Sequence, residues 1–283
     1  MRWNLNIAIL IIIAFILLFI AYGLWCNQAL DVNRYDVESE RVPEAFDGFK
    51  IAHISDVHNT EIGRDNEKLL KMLEAAEPDI IAITGDLIDS RQTKIDVALK
   101  FVEEALKIAP CYYVSGNHEQ RIEEYIRLNT EMKKLGVEVL ENRKIQLEKN
   151  GETIIIAGID DPMFTMDPTI EEPDMVIEEA LGKLISGEDG YTILLSHRPE
   201  VFEVYAQSST DLVLCGHAHG GQIKVPFVGG IISPGEGFFP KYYEGIHREK
   251  GTVMVISRGI GNSLFPIRIN NRPEVGLVVL GTK

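Results

Sequence analysis

Five apolar runs, each stopping at a polar block, constrain this chain more than any other feature. The runs are Ile51–Ile54, Ile80–Thr84, Cys111–Val114, Thr192–Leu195 and Leu212–Cys215. The blocks that follow them are Asp56-Val57-His58, Gly85-Asp86-Leu87-Ile88-Asp89, Gly116-Asn117-His118-Glu119, Ser196-His197 and Gly216-His217-Ala218-His219. Short unbroken apolar runs bounded by turn residues are the pattern of buried strands. In α/β folds such strands deliver functional groups at their carboxyl ends. The groups delivered here are carboxylates, imidazoles and one amide. That mixture suits divalent metal ions rather than a nucleophilic triad.

Between the first three runs the periodicity turns helical. Asn66–Ala76 puts Leu69, Leu70 and Leu73 on one face, and Pro78 breaks it. Lys94–Ala109 and Glu119–Leu135 read as further helices, the second closed by Gly136. A β-α-β-α-β-α order predicts a parallel arrangement. Val137–Leu140, Ile145–Glu148 and Thr153–Gly158 read as short strands, with Lys149-Asn150-Gly151 as a hairpin turn. A helix near Asp174–Ile185 leads into the strand before His197. After His219 the reading is mostly β, at Gln222–Val225, Thr252–Ser257 and Val275–Leu280. One α/β domain with two sheets follows, over residues 49–283.

The N-terminus has another character. Ile7 to Trp25 carries no charge over 19 residues, about 28 Å as a helix and close to the thickness of a bilayer core. Trp3, Tyr22 and Trp25 stand where interfacial aromatics stand. Arg2 precedes the run and Asp31 is the first charge after it, so the positive-inside rule puts the N-terminus in the cytoplasm and the rest outside. Residues 1–29 are expected to be a retained single-pass signal-anchor at the cell membrane. The alternative is a signal peptide cleaved after Ala21-Tyr22-Gly23. Residues 30–48 read as a polar connector with a short strand at Tyr35–Glu40.

Net charge narrows the partners. The chain carries −15, and setting aside the single charge of Arg2 leaves −16 on residues 31–283. A surface so acidic argues against general nucleic-acid binding, which needs a basic footprint. Cys26, Cys111 and Cys215 are far apart and form no C-x-x-C pattern, so no zinc knuckle or redox motif is expected; Cys111 and Cys215 lie in apolar strand runs and are expected to be buried inert thiols.

The five blocks, spelled D-x-H, G-D-x-x-D, G-N-H-E, H and G-H-x-H and taken in that order, resemble the calcineurin-like metallophosphoesterases. The resemblance spans roughly residues 45 to 225. Gly220-Gly221-Gln222 and Ser233-Pro234-Gly235 beyond it look like the membrane-anchored bacterial phosphodiesterase branch. It implies two stacked mixed β-sheets flanked by helices, a four-layer α-β-β-α sandwich, as the catalytic domain. It implies two divalent ions, Mn, Fe, Zn or Co. One would be held by Asp56, His58, Asp86 and His219, the other by Asp86, Asn117, His197 and His217. The implied reaction is hydrolysis of a phosphodiester or pyrophosphate bond by a hydroxide bridging the ions, tethered at the membrane. His118 would protonate the leaving oxygen, with Asp56 orienting it, and Asp89 and Glu119 would fix the turns. Phosphomonoester hydrolysis, or a metal-dead scaffold of the same fold, is the alternative. The segment after D-x-H departs from many relatives in having Asn59 and Thr60 where glycine is common.

On spacing alone, Asp56 and His58 in an extended segment would share one face, and His217 and His219 would repeat the arrangement. His53 is expected in the core and His247 in solvent. Arg198 and Arg258 are candidates for binding the phosphate-ester substrate, which a lipid or a nucleotide could carry. Phe227 to Tyr243 holds eight large apolar residues among glycines and prolines. Such a loop packs on the core, the default reading, or meets lipid.

Overall fold

Strict alternation along the buried strands builds this fold. In a computed structural model, which describes residues 2–167, 172–262 and 265–283 (side chains from Asn6 onward), successive residues of each strand enter different cores. Ile80 and Ala82 face one layer while Ile81 and Ile83 face another. Ile193 and Leu195 share the first of these layers, and Leu194 turns to a third. A side-chain period of two in strands buried on both sides requires this.

The first sheet has the order Asp31–Glu38, Glu274–Gly281, Lys50–Ile54, Ile80–Thr84, Cys111–Val114, Glu138–Val139. It is parallel except where Glu274–Gly281 meets Lys50–Ile54. The second has the order Gly245–Glu249, Thr252–Ile256, Leu212–Cys215, Thr192–Leu195, Glu152–Gly158, Arg143–Lys149, antiparallel only at its two outer pairs. Ile51, Val114, Ile156, Leu214 and Val255 fill the space between the sheets. Helices Glu67–Ala76, Ile95–Ala105 and Tyr125–Leu135 cover the outside of the first sheet through Leu73, Phe101 and Met132. Pro173–Leu184 and Phe202–Tyr205 cover the second through Ile177, Leu181 and Phe202. The expected four-layer sandwich of two mixed sheets flanked by helices is the observed architecture.

Some elements differ from expectation. The helix expected over Glu119–Leu135 is two pieces, Asn117–Gln120 and Tyr125–Leu135. The first turn is held by the site, as described below, while the second packs Leu128 and Met132 on the core. Ala105, not Ala109, ends the preceding helix. The strand expected at Tyr35–Glu40 runs Asp31–Glu38 and pairs with Glu274–Gly281 along its whole length, so this stretch forms the edge of the first sheet. Gly245–Glu249 is a strand that the sequence pattern does not show. His247 lies in it, half-buried edge-on to Tyr242 rather than free in solvent.

The N-terminal helix runs Arg2–Gln28, and its Asn6–Gln28 portion is long and apolar enough to cross a membrane. Ile11, Phe15 and Leu18 stand exposed along it. Its last turns dock on the globular part. The Tyr22 hydroxyl donates to Asn270 at 2.7 Å, Asn27 donates to the Pro266 carbonyl at 2.7 Å, and Gly23 sits against Ile267 and Ile269. The Arg272 guanidinium lies over the Trp25 ring, and Cys26 is buried. The side chains of Arg2 and Trp3 lie outside the described residues. Cys111 and Cys215 are free and buried, as expected, and so is Cys26.

Candidate metal centre

All five motif blocks meet where the strand ends of the two sheets converge. The segments are stitched together by backbone. Asp56 N–H donates to the Gly85 carbonyl, and His58 N–H to the Asp86 carbonyl. The carboxylate of Asp56 accepts His217 N–H at 3.0 Å, and His197 Nδ1–H donates to the Thr84 carbonyl at 2.8 Å. These last two bonds cross from one sheet to the other. Gly85, at φ +81, makes the approach possible. A Cβ there would stand 2.7 Å from Gly116 Cα and from His197 Nδ1.

Asp56, His58, Asp86, His217 and His219 all have positive φ, between 49 and 65. Non-glycine residues adopt this region at a cost, and such positions gather at functional sites. The extended D-x-H geometry expected from spacing is therefore replaced by tight left-handed turns. His217 and His219 also diverge instead of sharing a face.

Three overlapping donor groups result: Asp56 with His58 and His219, His58 with Asp86 and His118, and Asp86 with His197 and His217. Asp86 Oδ2 is the hub. It lies 3.6 Å from His58 Nε2 and 3.4 Å from His197 Nε2. His219 Nε2 is 3.4 Å from Asp56 Oδ1 and 3.3 Å from His58 Nε2. His217 Nδ1 is 3.1 Å from His197 Nε2. Asn117 Oδ1 is buried and without a hydrogen-bond partner, as is His217 Nε2. Asn117, His217 and His219 line one cavity of about 320 Å³ with Asp86 and His118.

The electrostatics agree with the donor chemistry. Burial pushes His58 down to about 4 and holds His217 and His219 well below the ordinary imidazole range. Neutral imidazole is the ligating form. Burial would also depress His197, but Asp86 and Asp56 raise it to about 10. Burial raises Asp56 to about 6. Buried nitrogens and carboxylate oxygens this close together fit divalent ions, which would take the place of the proton on His197.

His118 is held differently from the expectation. Asp56 does not orient it. Ser90 does, its backbone N–H donating to His118 Nδ1 at 3.0 Å, with the Ser90 hydroxyl at 3.2 Å and Asp89 Oδ1 at 3.7 Å. Asp56 is occupied by the His217 backbone and by His219. With Nδ1 accepting, the neutral ring carries its proton on Nε2. Glu119 fixes turns as expected. Its carboxylate accepts the N–H groups of Asp86, Leu87, Ile88 and Gly116 at 2.8–3.3 Å. Asp89 holds Arg91 in a two-pronged pair.

The expected substrate arginines are placed otherwise. Arg198 lines the cavity, but its guanidinium is taken by Asp161 at 2.7 and 3.1 Å and by Glu200 at 3.2 Å. Burial alone would lower its pKa; Asp161 and Glu200 raise it instead. Arg258 lies away from the cavity, paired with Glu274 at 3.0 Å and Asp31 at 3.4 Å near the base of the N-terminal helix. Both are committed to acidic neighbours within the fold. The cavity lining adds Ser90, Arg91 and Arg121, which the sequence reading passed over. Each lies within two residues of a motif block, so adjacency was the available signal. His53 is buried and bonded to Thr84 Oγ1, a core histidine as expected.

Comparison with known proteins agrees with this geometry. The family model for calcineurin-like phosphoesterases matches residues 49–221. The metallophosphoesterase YkuE of Bacillus subtilis is 30% identical over 260 residues, covering 89% of this chain and 85% of its own. Phosphodiesterase YaeI of Escherichia coli is 27% identical over 243 residues, covering 82% of each chain. The crystal structure of TT1561 from Thermus thermophilus superposes with a TM-score of 0.53 at 18% identity, over 75% of this chain and 90% of that one. This chain belongs to the calcineurin-like phosphoesterase family. It is a metal-dependent hydrolase of phosphoester bonds.

Proposed function

We propose that the chain is a binuclear phosphoesterase that cleaves a phosphodiester or pyrophosphate bond at a membrane surface outside the cytoplasm. In this reading Asp56, His58, Asp86 and His219 hold one ion, and Asp86, Asn117, His197 and His217 the other. The observation that carries it is the position of Asp86 Oδ2 between His58 and His197, which joins the two donor groups through one oxygen. Divalent ions held there would supply Lewis-acid charge to the phosphoryl oxygens and acidify attacking water.

The protein's own residues supply the rest. His118, oriented by Ser90 and lining the cavity, would in its imidazolium form give a proton to the departing oxygen and return to the neutral ring. Burial lowers its pKa while Asp86 and Asp89 oppose that shift, and the negative charge of a bound phosphate ester would favour the imidazolium further. Arg121, at the mouth, offers charge to a phosphate oxygen that is not transferred. The full donor set argues against a metal-dead scaffold. The diester preference is supported by the likeness to a phosphodiesterase. The tether is supported by the exposed apolar helix and by its docking on both sides of Gly23, where a signal peptide would be cut.

The test is metal analysis and turnover of the full-length protein in detergent. Bis(p-nitrophenyl) phosphate, p-nitrophenyl phosphate and a pyrophosphate diester would be compared after chelation and reloading with Mn or Zn. Two ions per chain, and diester or pyrophosphate turnover that returns only on reloading, are expected. Full activity after complete chelation would overturn the metal mechanism, and turnover confined to the monoester would overturn the substrate class.

A further inference from the structure

Outside the N-terminal helix, Phe227, Phe238, Phe239 and Phe265 stand exposed, with Val225 and Val228 beside them in sequence. Phe227 has its whole side chain in solvent. It sits at the tip of the hairpin formed by Lys224–Val225 and Gly229–Gly230, with φ 68. Phe239 follows the hairpin of Ile232–Ser233 and Gly237–Phe238, with φ 57. A large apolar side chain in a left-handed conformation, presented to water, carries a conformational cost and gains no burial. Strain of this kind points to a use outside the folded chain. The default expectation that Phe227 to Tyr243 packs on the core thus holds for Tyr242 but not for Phe227, Phe238 or Phe239.

The position of these side chains identifies the partner. Lys224 N–H donates to the Ile269 carbonyl at 2.9 Å, and Asn270 donates to the Lys224 carbonyl at 3.2 Å. The same Asn270 accepts from Tyr22 of the N-terminal helix. One residue therefore joins the Phe227 hairpin to the last turns of the helix. Phe265 is at the same base, because its neighbour Pro266 accepts from Asn27. The second hairpin carries Pro234 and Gly235, which line the metal cavity.

We propose that these loops form a second membrane contact, in which Phe227, Val228 and Phe265 enter the lipid interface around the helix base and Phe238 and Phe239 set the rim of the metal cavity on the same surface. The proposal rests on reading the N-terminal helix as membrane-spanning. A bilayer fits better than a second protein because the Phe227 hairpin and Phe265 sit at the base of an exposed apolar helix long enough to cross one. With −16 on residues 31–283, attraction to an anionic headgroup layer would not hold the domain down, so apolar contact must. The cavity would then favour esters whose other end is anchored in lipid.

The test uses the full chain in lipid nanodiscs holding one copy each. Cys26, Cys111 and Cys215 are buried, so a spin label reports only an introduced cysteine. Phe227→Cys and Phe238→Cys are compared with Ile126→Cys, an exposed apolar position on the Tyr125–Leu135 helix. Labels at 227 and 238 should collide several-fold more often with oxygen than with a water-soluble nickel chelate, and the label at 126 the reverse. Nickel access at 227 and 238 equal to that at 126, in a chain that resists alkaline extraction from membranes, would overturn the second contact and leave the tether standing. Release by alkaline extraction would overturn the tether reading and this proposal with it. Shielding seen only in discs holding two copies would assign the face to self-association and overturn it. An unchanged gel-filtration profile and bound-metal content would show that the labelled variants are folded.

Discussion

Asp86 does two jobs with its two oxygens. Oδ1 accepts the His118 N–H at 2.8 Å, and Oδ2 faces His58 and His197. Asp86→Ala should therefore weaken the hold on both ions and unsettle the His118 turn. The expected result is activity at background and metal content at one ion per chain or below; two retained ions would refute the shared-oxygen reading. His118→Ala should leave metal content near normal and slow cleavage by about 10²–10⁴-fold for a poor leaving group, the usual worth of a general acid. A nitrophenolate leaves without a proton, so its loss should be much smaller. Equal losses for both would mean that His118 acts otherwise. The arginines separate in the same way. Arg121→Ala should raise KM several-fold with little change in kcat or melting temperature. Arg198→Ala leaves Asp161 buried beside the vacated guanidinium position, and breaking such a pair costs about 3–5 kcal/mol. Melting temperature should fall more for Arg198→Ala, and KM should rise more for Arg121→Ala.

At the scale of elements, legibility followed burial. Ile80–Thr84, Cys111–Val114, Thr192–Leu195 and Leu212–Cys215 were readable to the residue because both of their faces are covered, leaving no polar interruption. Asp31–Glu38 and Gly245–Glu249 lie at sheet edges and are half wet, so the first was legible only in part, as Tyr35–Glu40, and the second not at all. The break after Gln120 was hidden because helical periodicity continues across it; the interruption comes from tertiary bonds made by Glu119. Of the site, the residue types and their gathering were legible, whereas the left-handed turns were not. Glu119 gives an element-level prediction. Glu119→Ala strands four backbone donors, and each buried donor left unpaired costs about 1–3 kcal/mol. The melting temperature should fall markedly. Metal affinity should weaken by about 10–100-fold, as when a support behind a ligand is lost. Calorimetry and a metal titration measure the two effects, and an unchanged turn would show in neither.

For the whole molecule, the decisive question is how the helix and the sandwich are joined. The first globular strand begins at Asp31, three residues after the helix ends at Gln28, which leaves almost no slack. Asn27 bonds to both Pro266 and the Arg268 N–H. Arg268 in turn is buried against the carbonyls of Arg258 and Gly261, next to the strand end that supports Asp56. If the helix spans the membrane as proposed, this joint would fix the cavity's direction as well as its distance from the bilayer. Asn27→Ala should leave the protein in the membrane while loosening that orientation. Turnover of a vesicle-borne phospholipid ester should then fall more than turnover of a soluble diester. The proposal of a retained, outward-facing anchor predicts that the full-length chain resists alkaline extraction, begins at or near Met1, and is digested by protease added to intact cells whose outer barriers are opened. A mature chain beginning at Leu24, or a sandwich shielded from external protease, would overturn it. The docked helix argues for retention, because a cut after Gly23 would sever Tyr22 from the turns that carry Trp25 and Asn27, and with it the bond to Asn270 that ties helix and hairpin together.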